Sequence, residues 1–125
     1  MNKGEALHNF WAQFLPAYDE NTVPPIDEVT FPYITYETST DNFGNTLSLT
    51  GNLWYRSSTM HSWREISAKA EEIANTIDNG QMYEIDGGGM LITRRSPFAQ
   101  RMSEPSDDTI RRIMIQINVE FLTTN

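Results

Sequence analysis

Residues 112–121 read Arg-Ile-Met-Ile-Gln-Ile-Asn-Val-Glu-Phe, an alternation in which every second side chain is a large apolar one. A β-strand points successive side chains to opposite faces of its sheet, so this period of two predicts a half-buried strand. Residues 47–56 alternate in the same way. Their buried side is predicted to comprise Leu47, Leu49, Gly51, Leu53 and Tyr55. Two long half-buried strands predict a sheet with one face packed on a core.

A shorter strand is predicted next to residues 47–56. Tyr33–Thr38 is dense in residues that favour strands. The turn-forming residues Asp41–Asn45 separate it from the longer strand, which predicts a β-hairpin. Before it, Ala17–Pro32 has three prolines and four acidic residues without helical or strand periodicity, and predicts an irregular acidic connector.

A run of three glycines, Gly87, Gly88 and Gly89, lies between two further stretches typical of strands, Met82–Asp86 and Met90–Arg95. It predicts the turn of a second hairpin. A phosphate-binding loop is the alternative for a glycine run, but its glycines open a helix, whereas a strand follows here. The polar segment Ser96–Thr109 predicts a loop before the final strand.

Two helices are predicted from apolar residues at helical spacing. The first is expected from about Lys3 to Leu15, closed by Pro16, and to pack on the core. Its stripe comprises Leu7, Phe10, Trp11 and Phe14. The second begins at Ser62, which has Glu65 at the spacing of a capping box, and ends at Asn79-Gly80. Its apolar face comprises Trp63, Ile66, Ala70, Ile73, Ala74 and Ile77.

The order of these elements is helix, hairpin, helix, hairpin, strand. It predicts an α+β fold in which a mostly antiparallel sheet has both helices packed on one face. The chain of 125 residues is the right length for one domain, residues 1–125.

Composition limits the function. Nine Lys and Arg stand against 17 Asp and Glu, for a formal net charge of −8, whereas tight non-specific nucleic-acid binding needs a surplus of bases. The absence of cysteine excludes disulfides and cysteine-based metal sites. No stretch approaches the roughly 20 apolar residues of a membrane span. We expect a soluble protein, made in a reducing compartment, with no membrane partner.

Catalytic constellations are scarce. His61 beside Ser62 could be a base next to a nucleophile, but a loop residue followed by a helix N-cap explains the same pair. The two histidines, His8 and His61, do not have the spacing of metal ligands. Glu84 and Asp86 would project from one strand face, which leaves open a small hydrolase or ligand-binding domain with a pocket around both carboxylates. We expect no enzyme, no cofactor and no metal.

Charge is unevenly distributed along the chain. The first 50 residues carry one base and seven acids, whereas residues 87–125 carry five arginines and four acids. These arginines, with Phe98 among them, are Arg94, Arg95, Arg101, Arg111 and Arg112. Arginine and aromatic residues are enriched in interfaces, so the cluster predicts either a docking surface or local salt bridges. A basic and an acidic surface on one molecule would permit a head-to-tail ring.

Six segments, in order along nearly the whole chain, carry a family resemblance. They are residues 31–36 (Phe-Pro-Tyr-Ile-Thr-Tyr), 53–57 (Leu-Trp-Tyr-Arg-Ser), 62–66 (Ser-Trp-Arg-Glu-Ile), 87–91 (Gly-Gly-Gly-Met-Leu), 94–100 (Arg-Arg-Ser-Pro-Phe-Ala-Gln) and 108–112 (Asp-Thr-Ile-Arg-Arg). Together they resemble the tail terminator, or tail-completion, proteins of long-tailed bacteriophages and prophages, some of which are described as minor capsid proteins. The resemblance is one of pattern, and it brings no catalytic residue with it.

This resemblance implies a structural virion-assembly protein. Such a subunit forms a homo-oligomeric ring, commonly a hexamer, on the head-proximal end of the tail. The ring binds the tail tube protein, stops tube growth and joins the tail to the head connector, and DNA passes through its lumen without specific binding. Before assembly the protein would lie in the cytoplasm of the host bacterium. The resemblance also implies that Gly87–Gly89 and Arg94–Arg101 lie at subunit or tube contacts, and a head-completion or connector protein is the alternative.

Overall fold

The computed structural model describes residues 2–25, 28–38, 46–56, 62–102 and 109–123. These residues form two helices, α1 (Lys3–Ala12) and α2 (Ser62–Ile77), and one sheet. Its strands are β1 (Ala17–Asp19), β2 (Tyr33–Tyr36), β3 (Leu47–Arg56), β4 (Gln81–Ile85), β5 (Gly88–Met102) and β6 (Ile110–Thr123). In space they are ordered β1-β2-β3-β6-β5-β4, and every neighbouring pair is antiparallel except β1 and β2.

The two strands with the strongest alternation form the centre of the sheet. β3 and β6 pair along their length, with Leu49 opposite Ile117 and Leu53 opposite Ile113. The apolar side of both strands is buried, whereas Ser48 is exposed and Asn52 and Trp54 are half-buried on the other side. The predicted half-buried strands and the β2–β3 hairpin pairing are therefore confirmed.

Both helices cover the face of the sheet that Leu53 and Ile115 share. Apolar side chains of α1, α2 and this face form one cluster of buried residues, so the predicted α+β architecture with its helices on one face is confirmed. Trp11 lies directly over Gly51, where a side chain would have no room. Neither α1 nor α2 has the length and apolar character of a helix that crosses a membrane.

Helix ends differ slightly from the predicted ones. Asn2 and Glu5 form a capping box at the start of α1, and the helix ends at Ala12, before the predicted Leu15. The Gln13 side chain there donates to the Phe10 carbonyl. At the end of α2 the left-handed residue is Asp78, followed by Gly80 with φ of 140°. The predicted capping interaction of Ser62 lies outside the described residues, as do the turn Asp41–Asn45 and His61.

The connector predicted at Ala17–Pro32 is wrong at its start. Ala17–Asp19 forms β1, which pairs in parallel with β2 so that Ala17 lies opposite Ile34. A three-residue strand carries no readable period. Pairing with β2 and burial of Ala17 make this stretch a strand, and both depend on tertiary structure.

The three glycines do not form one turn. Asp86 and Gly87 make a two-residue turn in which Gly87 has φ of 80°, a conformation that favours glycine. Gly88 and Gly89 are the first residues of β5 and pair with Ile85 and Glu84. Two residues suffice to reverse a hairpin, so the rest of the run is free to extend the strand.

The loop predicted at Ser96–Thr109 is the largest error. β5 continues to Met102 and pairs with β6 again from Ala99 onward, after an irregularity between Arg94 and Ala99. The bulge accommodates Pro97, which has no N–H to donate to a neighbouring strand, and the Gln116 side chain donates to the Pro97 carbonyl. Residues 103–108 lie outside the described part.

Candidate interaction site

The second half of β5, Arg94–Met102, is named here the outer arm. β4 pairs with β5 only from Gly88 to Ile92, so within the described residues the outer arm has β6 as its one strand partner. Its residues are exposed except for Phe98 and Met102, which are half-buried. The outer arm is therefore a strand with an uncovered edge at the surface of the protein.

Arg94 and Arg95 lie on this edge, and both are exposed. Neither side chain has a hydrogen bond or ion pair with another residue of the described part. The local salt bridges considered as an alternative to docking are thus absent at these two positions. Two cations held beside an uncovered strand edge are available to an acidic partner.

Arg101 and Arg111 converge on one aromatic ring. The guanidinium carbon of Arg101 lies 4.7 Å from the centroid of the Trp63 ring, and that of Arg111 lies 5.6 Å from it. Trp63 stands at the start of α2 and is half-buried. This stacking attaches the outer arm and the beginning of β6 to the helix, so Arg101 and Arg111 have a structural role in the monomer.

Arg112 points to the opposite face of the sheet from Arg111. It stacks over Trp54 at 5.2 Å, and its Nη1 donates to the Asn52 side chain. Trp54 stacks in turn on Tyr33 and donates its Nε1–H to the Thr35 hydroxyl. The alternation along β6 predicts that Arg111 and Arg112 lie on opposite faces, because consecutive residues of a strand point to opposite sides of the sheet.

A groove runs between α2 and the outer arm. It has a volume of about 270 Å³ and is lined mainly by apolar side chains. Phe98 lies in it and packs on the edge of the core. Its other lining residues are Ser67, Ala70, Glu71, Ala74, Ala99, Arg101 and Ile113. The groove lies beside the uncovered edge, so a strand added to that edge would border it.

The three glycines lie far from the outer arm along the same strand. At about 3.3 Å per residue, Gly88 is separated from Arg95 by roughly 20 Å. Met82 lies over Gly89 and is exposed, as is Leu122 on the neighbouring strand β6. The residues predicted to form contacts therefore lie in three places. Gly87–Gly89 lie at the β4–β5 turn, Arg94, Arg95 and Phe98 lie on the outer arm, and the other three arginines stack on tryptophans. These are Arg101 and Arg111 on Trp63, and Arg112 on Trp54.

The opposite edge of the sheet is acidic. Asp19 lies on β1, and its two carboxylate oxygens accept from the Asn21 N–H and the Thr38 hydroxyl. Glu20 is exposed next to it. Glu37 follows β2 and faces away from this edge, because its Oε1 accepts from the Thr50 N–H of β3. Burial and, secondarily, the Asp19 charge raise the pKa of the Tyr36 hydroxyl, which pairs with His8 Nδ1. The basic outer arm and this acidic edge stand on opposite sides of one sheet.

The two carboxylates considered for catalysis do not lie on one strand. Glu84 is exposed on β4, and Asp86 lies in the β4–β5 turn. A cleft of about 330 Å³ between α1 and β4 is lined by Phe10, Tyr83 and Glu84, and Asp86 is not among its lining residues. No group of three or more potential metal-ligating side chains occurs among the described residues.

Comparison with known proteins gives no match to a family model, to a curated protein or to a solved structure.

Proposed function

We propose that this chain is a ring-forming structural protein of a virion, acting as the tail terminator of a long-tailed bacteriophage or prophage. The observation that carries the proposal is the charge on the two edges of the sheet. Arg94 and Arg95 lie unpaired on the outer arm, whereas Asp19 and Glu20 lie at the β1 edge. A surface that complements a different surface of the same molecule generates rings when the rotation closes.

The action of such a protein is binding, with no chemical step. A ring, expected to be a hexamer, would cap the head-proximal end of the tail tube, stop its growth and present a surface to the head connector. The net charge of −8 suits a ring whose lumen DNA crosses, because a basic lining would bind the phosphates. The resemblance of the six sequence segments supplies the identity of the tube and the head as partners.

The first experiment tests the ring. We expect light scattering and negative-stain images of the purified chain to show a discrete ring-shaped species. Exchanging Arg94→Glu together with Arg95→Glu should dissociate it to monomers, since an acidic arm would repel the acidic edge. Thermal unfolding of the monomer should change little, because both side chains are exposed and unpaired.

A matched control carries the same change in charge elsewhere. Arg64→Glu with Lys69→Glu alters the surface of α2, where Lys69 makes only an exposed pair with Glu72. Rings that survive in this control and disappear in the arm variant support the proposal. Rings that persist in the arm variant, or a wild-type chain that stays monomeric both alone and with tail tubes, would refute it.

A gene deletion distinguishes the tail-terminator role from that of a head-completion or connector protein. Deleting the gene from the phage or prophage that encodes it should produce overlong tails that do not join heads. Normal tails beside tailless, unsealed heads would identify a head-completion or connector protein instead. Normal particles would overturn both assignments.

A further inference from the structure

We propose that neighbouring copies join edge to edge, with the outer arm of β5 in one copy pairing with β1 of the next. This inference rests on the proposed ring and specifies its contact. The occupant of the outer arm is thus a second copy of this chain. Each sheet would continue into the next across the subunit boundary.

The first step concerns the backbone of the two edges. Within the described residues the outer arm pairs only with β6, and β1 pairs only with β2. The bonds from Ile34 N to Pro16 O and from Glu20 N to Tyr36 O place the backbone groups of alternate residues toward β2. The N–H groups of Ala17 and Asp19 therefore point away from β2, toward an added strand. Both edges can take a strand partner by backbone hydrogen bonding.

The second step concerns the faces. Asp19 lies opposite Tyr36 and therefore on the helix-covered face, and Arg94 and Arg101 lie on the same face opposite Ile117 and Ile113. A sheet that continues across a boundary keeps its faces, so the carboxylate and the guanidinium groups would meet on one side. The charged side chains of the two edges therefore have opposite sign and project from the same face of the continued sheet.

The third step concerns the groove. α1 packs over β1 on the helix-covered face, and the loop after it carries Phe14 and Leu15, both half-buried. An incoming β1 edge would bring this loop beside α2 of the first copy. The groove there is apolar along Ala70 and Ala74, so it can receive an apolar side chain from the loop.

The same charges exclude the symmetric arrangements. Two outer arms facing each other would oppose Arg94 and Arg95 with their own copies, and two β1 edges would oppose acids. The bulge at Pro97 and the arginines also match the devices that keep a strand edge from pairing indiscriminately. Head-to-tail pairing remains, and it generates a ring when the rotation from one copy to the next closes.

The test uses the absence of cysteine from the wild-type chain. We would introduce Glu20→Cys and Gln100→Cys together, because Glu20 is exposed and directly follows β1, and Gln100 is exposed on the outer arm opposite Met114. Mild oxidation should yield a ladder of covalent multimers that ends at the size of the ring. Either single variant should give at most dimers. The pair Asn75→Cys and Gln100→Cys is the matched control, since Asn75 is exposed on α2.

A second variant tests the groove. Ala74→Trp should fill it and raise the concentration at which half of the rings dissociate by at least about tenfold. Ala68→Trp, on an exposed position of α2, should change that concentration less than about twofold. A folded Ala74→Trp monomer by circular dichroism excludes misfolding as the cause.

The outcomes distinguish this contact from the proposed function. A wild-type ring that gives no ladder and tolerates Ala74→Trp overturns edge pairing and leaves the ring proposal standing. A wild-type chain that never assembles, alone or on tail tubes, overturns both.

Discussion

The two halves of β5 belong to one strand and have opposite surroundings. From Gly88 to Ile92 it lies between β4 and β6, and Met90 and Ile92 are fully buried. From Arg94 to Met102 it is mostly exposed and, in the part of the chain that the structure describes, pairs with β6 alone. One half of the strand therefore contributes to the core, whereas the other half is exposed and is the contact that we propose. We expect stability and association to be separable by mutation along β5.

The largest expected difference in the free energy of unfolding is between Ile92→Ala and Gln100→Ala. Ile92 is completely buried, so truncating it leaves a cavity and should lower the free energy of unfolding by about 3 kcal/mol. Gln100 is exposed on the outer arm, and its truncation should change that free energy by less than about 0.5 kcal/mol. Urea denaturation in the Arg94→Glu, Arg95→Glu background measures both. Equal losses would contradict the division of β5.

A smaller difference in the free energy of unfolding is expected between Gly51→Ala, on the core side of the sheet, and Gly89→Ala, on its solvent side. A Cβ on Gly51 would lie 2.6 Å from the Trp11 ring, which is fully buried and has nowhere to move. Gly51→Ala should therefore cost about 2 kcal/mol of unfolding free energy. On Gly89 the Cβ would meet the Met82 sulfur at 2.8 Å, but that side chain is exposed and flexible. Gly89→Ala should stay within about 0.5 kcal/mol by the same denaturation, and a loss as large as that of Gly51→Ala would refute this assignment.

The smallest effect concerns alkaline pH. Burial, with smaller contributions from Glu65 and Glu72, raises the pKa of Tyr55 to about 12. Tyrosine in the unfolded chain has a pKa of about 10. The contribution of Tyr55 to the free energy of unfolding is therefore complete below that pH and is lost as the pH rises toward about 12. At about pH 11 the loss should be about 1 kcal/mol. Tyr55→Phe should show a shallower decline in thermal stability over this window, and an unchanged slope would contradict the assignment.

The parts of the fold that were predictable are those whose side chains alternate over many residues. β3 and β6 could be read from residues 47–56 and 112–121 because each buries one whole face. α2 has an apolar stripe over four turns, and it was equally readable. β1 and the outer arm could not be predicted, since three residues carry no period and a strand bordered by solvent needs no apolar alternation.

The candidate site was predictable in composition and not in arrangement. Arg94 and Arg95 were singled out from sequence as a pair of cations near an aromatic residue, and the structure leaves both side chains exposed. The partners of Arg101 and Arg112 were missed, because Trp63 and Trp54 are distant in sequence and reach them only through α2 packing and β3–β6 pairing.

The sequence by itself determined the α+β class, the central strands, the face that is buried and the separation of charge along the chain. These follow from local periodicity and composition, which act on neighbouring residues. Only the tertiary structure decided that the acidic and basic segments lie on opposite edges of one sheet, that Arg101 and Arg112 stack on Trp63 and Trp54, and that the polar segment after Arg95 is a strand. Those properties arise from pairing between residues far apart in sequence, where hydrogen bonds to β6 outweigh the local preference for a loop.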